Sequence, residues 1–175
     1  RARRARDFFL VIGPPGTGKT SFAMLNILRE ELLEPGSAVL VMAYTNRAVD
    51  EICSKLVECS IDFVRMGSSL ACAEPFRDHL LERRVAGCAN VDDVRRLIAS
   101  TRVFCATTSS LNSNTSLLGM KHFSLAIIDE ASQILEPHIV GLLSAESDGV
   151  ESIDRFVLIG DHKQLPAVVQ QTPEE

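Results

Sequence analysis

Five short apolar runs punctuate the chain, at residues 8–12, 38–43, 103–106, 125–128 and 156–159. None of them alternates apolar with polar positions. Runs of this kind predict strands covered on both faces, the environment of a parallel sheet. Between them the period lengthens to that of a helix. One helix is predicted over 20–33, ended by Pro35-Gly36. A second is predicted over 46–59, where Ala48, Val49, Ile52, Cys53, Leu56 and Val57 fall on one stripe. Thr45 or Asn46 can cap it, and Asp50 and Glu51 place negative charge near its first turn. Strands alternating with helices predict a doubly wound α/β domain with helices on both faces of a mainly parallel sheet. Ligands of such domains bind beyond the carboxyl ends of the strands.

The polar residues just after these runs carry the chemistry. Behind the first run stand Gly13, Pro14, Pro15, Gly16, Thr17, Gly18, Lys19 and Thr20. They spell G-x-x-x-x-G-K-T between a strand and a helix, the arrangement of a nucleotide phosphate loop. Glycines let the backbone wrap the phosphates, and the following helix offers unpaired N–H groups at its positive end. Lys19 can reach the β- and γ-phosphates, and the Thr20 hydroxyl can ligate Mg²⁺. The strand predicted at 125–128 ends in Asp129-Glu130. There Asp129 can hold Mg²⁺ opposite Thr20, and Glu130 is suited to orient and deprotonate an attacking water. The strand at 156–159 is followed by Gly160-Asp161-His162-Lys163-Gln164-Leu165-Pro166, in which Gln164 can hydrogen-bond a γ-phosphate or the water. Thr45 and Asn46 after the second run, and Thr107 after the third, open hydroxyl- or amide-rich turns. Each can cap a helix or meet a backbone phosphate, and the sequence leaves both open.

Composition narrows the partners. At 175 residues the chain is expected to be one domain. A chain of this size buries roughly 70% of its unfolded surface. No apolar run approaches the ~20 residues a membrane span needs. The net charge is −5, which argues against a grip on nucleic acid by bulk electrostatics. Any polynucleotide contact must then be local or shared with another domain. Cys53, Cys59, Cys72, Cys88 and Cys105 form no C-x-x-C pair and predict reduced thiols, hence an intracellular, cytoplasmic protein, nuclear in a eukaryote. Residues 67–100 lack a strong strand and predict two helical pieces, 76–86 and 91–99. With Arg102 this stretch carries Arg77, Arg83, Arg84, Arg95 and Arg96, mixed with acids, either a solvated face or an insertion facing nucleic acid.

These segments in this order resemble the superfamily 1 helicases. GPPGTGKT is similar to motif I, AYTNRAVD to motif Ia, ATTSSL to motif Ic, DEASQ to motif II and GDHKQLPA to motif III. The resemblance is to the subgroup of the nonsense-mediated-decay RNA helicase and the replication helicase/nuclease. It implies the first RecA-like motor domain of an ATP-dependent 5′-to-3′ translocase. It implies ATP on residues 13–20, Mg²⁺ on Thr20 and Asp129, catalysis by Glu130 and Lys19, and γ-phosphate sensing by Gln164. It gives Gln133 the coupling of motif II to motif III, and Thr45, Asn46 and Thr107 contacts with single-stranded nucleic acid, DNA slightly ahead of RNA. It also implies that the chain is a fragment, with 67–100 as a reduced insertion and a second motor domain elsewhere. The alternative is a module that binds nucleotide without turning it over.

Overall fold

The computed structural model describes residues 2, 5–14, 16–147, 149–161 and 163. Strand β1 (Phe8–Ile12) runs into the glycine-rich loop and then a helix that is π-wound over Lys19–Met24 and α-helical as α1 (Leu25–Leu32). Next come β2 (Val39–Ala43), α2 (Asn46–Glu58) and a two-residue strand β3 (Val64–Arg65). A 3₁₀ segment (Glu74–His79), α3 (Leu81–Ala86) and α4 (Val91–Ser100) follow. Strand β4 (Val103–Thr107) leads to two short helices, α5 (Thr108–Asn112) and α6 (Ser116–Met120). Then come β5 (Leu125–Ile128), a 3₁₀ turn (Ala131–Gln133) and α7 (Glu136–Leu143). A small hairpin of β6 (Glu146–Ser147) and β7 (Val150–Glu151) precedes β8 (Phe156–Gly160).

Six strands form one sheet in the order β1-β8-β5-β2-β4-β3, every pairing parallel. The register aligns Ile12 with Gly160, Met42 with Ile128 and Ala43 with Thr107, so the polar tips all emerge along one edge. Two apolar layers flank the sheet. On one face Met24, Leu28, Val49, Ile52 and Leu56 of the first helices pack on Val39, Val41, Cys105 and Ile127. On the other, Ile98, Leu111, Leu117 and Leu142 pack on Leu40, Met42, Phe104 and Ile128, with Phe104 and Phe123 edge to face at 5.7 Å. The α/β architecture expected from the sequence is the one observed.

One expectation needs correction. Burial on both faces holds for β2, β4 and β5 but not for β1 or β8, whose side chains alternate between more and less buried. Phe8, Leu10 and Ile12 are 63%, 50% and 60% exposed. β1 lies at the end of the sheet, and no helix among the described residues covers that end of the second face. Three arginines of the arginine-rich stretch have acidic partners. Arg84 pairs with Asp62 at 2.6 Å, Arg95 with Asp92, and Arg96 with Asp93, while Arg102 donates to the carbonyls of Leu32, Glu34 and Ser37. All five cysteines are free, and Cys105 lies in the core. No helix among the described residues is long and apolar enough to cross a membrane.

Candidate nucleotide site and the strand-tip loops

The loop after β1 is shaped by two glycines in the left-handed region, Gly16 and Gly18, both at φ 77°. Any other residue there would strain the turn. The Gly13 N–H donates to the Gly160 carbonyl at 3.3 Å, tying the loop to the tip of β8. The Thr17 hydroxyl donates to the Pro14 carbonyl at 2.8 Å and closes the loop on itself. The Lys19 ammonium donates to the carbonyls of Gly13 and Pro14, the latter at 2.7 Å. It is thereby held in the mouth of the loop. The π-wound turn begins as Gly18 accepts from both Phe22 and Ala23, at 2.8 and 3.1 Å. Single π turns of this kind recur at functional sites. Pro15 and the Thr20 side chain lie outside the described residues.

Two strands away, β5 delivers the acidic pair. Asp129 is 4% exposed, its N–H bonded to the Met42 carbonyl at 2.7 Å and its Oδ1 accepting from the Glu130 N–H at 3.0 Å. Glu130 stands at φ 52°, ψ 35°, a left-handed conformation rare for a side-chain-bearing residue. Burial raises its carboxyl above the ordinary glutamate range, and the charges of Asp129 and Glu51 raise it further. The following 3₁₀ turn packs under β8. A Cβ on Gly160 would lie 3.1 Å from the Ser132 nitrogen, so the two strand tips touch only because residue 160 is glycine. Gln133 is half-buried, its N–H donating to the Glu130 carbonyl at 2.9 Å. Gln164 lies outside the described residues.

These groups line one cleft of about 330 Å³. Gly16, Gly18, Lys19, Asp129 and Glu130, named from sequence, meet there with Ser21, Glu51, Lys55, Gly160 and Asp161. Glu51 and Lys55 were missed because they sit on the polar side of α2, and only the fold brings that side over the cleft. Their i, i+4 spacing opposite the apolar stripe was the available signal. An ammonium, a helix start and two carboxylates suit a triphosphate with a divalent cation. Mg²⁺ is usually held by one or two carboxylates plus the phosphates. Lys19, Asp129 and Glu130 therefore fit the Mg–nucleotide expected from sequence.

The tips of β2 and β4 both begin helices. Thr45 caps α2, its Oγ1 accepting from the Ala48 N–H at 3.1 Å, and Thr45 and Asn46 are both exposed. Thr107 caps α5 in a reciprocal box with Ser110, each side chain accepting from the other's N–H at 3.0 Å. Thr107 is only 5% exposed. Capping is thus a role all but Asn46 perform.

Residues 1–91 and 88–172 match the family described as AAA domain. The DNA replication ATP-dependent helicase/nuclease JHS1 of Arabidopsis thaliana is 38% identical over 168 residues, which are 96% of this chain and 12% of that protein. The human DNA replication ATP-dependent helicase/nuclease DNA2 is 34% identical over 167 residues, 94% of this chain and 15% of that one. The chain thus spans less than a sixth of the length of either relative. Among solved structures, the helicase domain of Pyrococcus furiosus Hef superposes with a TM-score of 0.57 at 16% identity, over 83% of this chain and 26% of that one. The arterivirus nonstructural protein 10 helicase, solved with DNA, gives 0.57 at 17% identity, over 95% and 32%. These two likenesses concern the fold.

Proposed function

Because the chain belongs to the AAA domain family, we propose that it is the ATP-hydrolysing motor domain of a helicase that moves 5′ to 3′ on single-stranded nucleic acid. The observation that carries this is Lys19, held in the mouth of its loop, lining the same cleft as Asp129 and a strained Glu130. Lys19 exchanges its carbonyl partners for phosphate oxygens and neutralises charge as the γ-phosphate departs. Glu130 accepts a proton from the attacking water, a task for which its raised carboxyl pKa is suited. Thr20 and Asp129 would hold Mg²⁺, which supplies further neutralisation of the phosphates when bound.

Gln164 would sense the γ-phosphate, and the contact of Ser132 with Gly160 supports a mechanical link between the second and third motifs, alongside Gln133. Thr45 and Asn46 would meet backbone phosphates. Thr107, whose hydroxyl is committed to its cap, would order the neighbouring turn. Arginines from a second motor domain would complete the site, since such a residue is worth about 10³- to 10⁵-fold in related phosphoryl transfer. DNA is favoured as the track because the relatives at 34–38% identity are named for DNA replication.

The test is ATP turnover by the whole protein, with and without single-stranded DNA or RNA, beside Lys19→Ala and Glu130→Gln. Turnover that needs Lys19 and rises with one polymer is the expected result. Glu130→Gln should retain ATP without cleaving it. Full activity in Lys19→Ala overturns the assignment, and nucleotide binding with no turnover in any condition reduces the chain to a binding module.

A further inference from the structure

Arg65, on the short strand β3, is the largest side chain wholly buried among the described residues. A guanidinium withdrawn from water must be matched by acceptors, or the fold carries an uncompensated charge. Its Nε donates to Asp50 Oδ1 at 3.4 Å, its Nη2 to Asn46 Oδ1 at 2.9 Å, and its Nη1 to the Met66 carbonyl. Space for that head is kept by Gly67, where a Cβ would stand 3.2 Å from Nη1. The second oxygen of Asp50 accepts from the Ala73 N–H at 3.0 Å. One cluster around the buried Arg65 guanidinium therefore joins the start of α2, strand β3 and the segment leading into residues 74–100.

The chemistry fixes an orientation. Arginine has five donors and no acceptor, so the Asn46 atom facing it is the carbonyl oxygen. The amide NH₂ of Asn46 is turned to the other side, and Asn46 is exposed. We propose that Arg65 is a positioning residue for the nucleic-acid strand. It locks the Asn46 amide with its NH₂ presented to a backbone phosphate at the N-terminus of α2. Through Asp50 it ties that presentation to the helical insertion. The proposal rests on the reading of Thr45 and Asn46 as phosphate contacts. Lysine cannot substitute, because a point charge lacks the fork that engages Asp50, Asn46 and Met66 together.

The experiment measures binding of a fluorescent oligothymidylate to the whole protein by anisotropy, with binding of a fluorescent ATP analogue as the companion readout. Asn46→Ala and Arg65→Lys should each weaken oligothymidylate binding by about tenfold, the size of a typical coupled contact. ATP-analogue affinity should not change in either. In the double variant binding should be no weaker than in Asn46→Ala alone, since Arg65 acts through Asn46. Unchanged affinity in Asn46→Ala overturns the phosphate-contact reading itself. Weakened binding in Asn46→Ala with full affinity in Arg65→Lys, or losses that multiply in the double variant, overturns the positioning role alone. If Arg65→Lys fails to fold, Asp50→Asn takes its place in the same cycle with the same expected and overturning results.

Discussion

At Glu130 three unfavourable conditions coincide. A side chain in the left-handed region costs about 1–2 kcal/mol, and this one is also partly desolvated and set against two like charges, Asp129 and Glu51. Its carboxyl pKa is raised in the fold, so the folded state holds the proton more tightly than the unfolded chain does. The ionised form therefore destabilises the fold above the folded pKa, and that cost disappears below the unfolded pKa. Glu130→Gln should melt at a higher temperature than the parent at neutral pH, and the difference should close as pH falls through the Glu130 titration. For turnover the sign is different: as the proposed base, Glu130 works only when deprotonated, so the acid limb of kcat/KM, which reports the free enzyme, is shifted upward from the ordinary glutamate range. Glu51→Gln removes one of the charges that raise it. Its acid limb should move to lower pH, because a like charge is removed. A pH–rate profile checks this, and an acid limb that stays put or rises would remove Glu51 from the environment of the base.

Elements were legible where one principle dominated. The runs at 8–12, 103–106 and 125–128 became β1, β4 and β5 because apolar continuity and short length left little else to form. β3 was not legible: it is two residues long and one of them is a buried arginine, which no hydrophobic pattern announces. Helices α5 and α6 span five residues each in a serine- and threonine-rich stretch, too short for a helical period to register. The end of α2 was read to within a residue, yet its cap was not. Ser60 stands at φ 55°, with its N–H on the Val57 carbonyl and the Ile61 N–H on the Leu56 carbonyl, both at 2.9 Å. That is a Schellman termination, in which the left-handed position is usually glycine. Ser60→Gly should therefore stabilise the fold by about 1 kcal/mol, the left-handed penalty removed less glycine's extra chain entropy. Chemical denaturation with unchanged slope reads it, and a loss of stability would mean that the Ser60 side chain holds a contact the backbone geometry does not reveal.

For the whole molecule, charge and topology divide the work. The parallel sheet puts the proposed nucleotide site at the tips of β1, β5 and β8, and the candidate strand contacts at the tips of β2 and β4, so both share one edge. The phosphate loop and the acidic pair were legible as local sequence, whereas Glu51, Lys55 and Ser132 entered only through the way α2 and β8 pack. The net charge of −5 leaves no broad basic field, and three of the insertion's arginines, Arg84, Arg95 and Arg96, pair with Asp62, Asp92 and Asp93. A nucleic-acid strand held by α2 would then be gripped by neutral donors and a helix end. Each cation that neutralises a phosphate of a single strand adds about 0.7 to the slope of log affinity against log salt. If Arg95 and Arg96 only solvate the face of α4, replacing both with glutamine should leave the oligothymidylate affinity and its salt slope unchanged. If instead both grip the strand, the slope should become shallower by about 1.4. Anisotropy titrations of the whole protein at several salt concentrations separate these outcomes, and the shallower slope would return the insertion to the nucleic-acid interface.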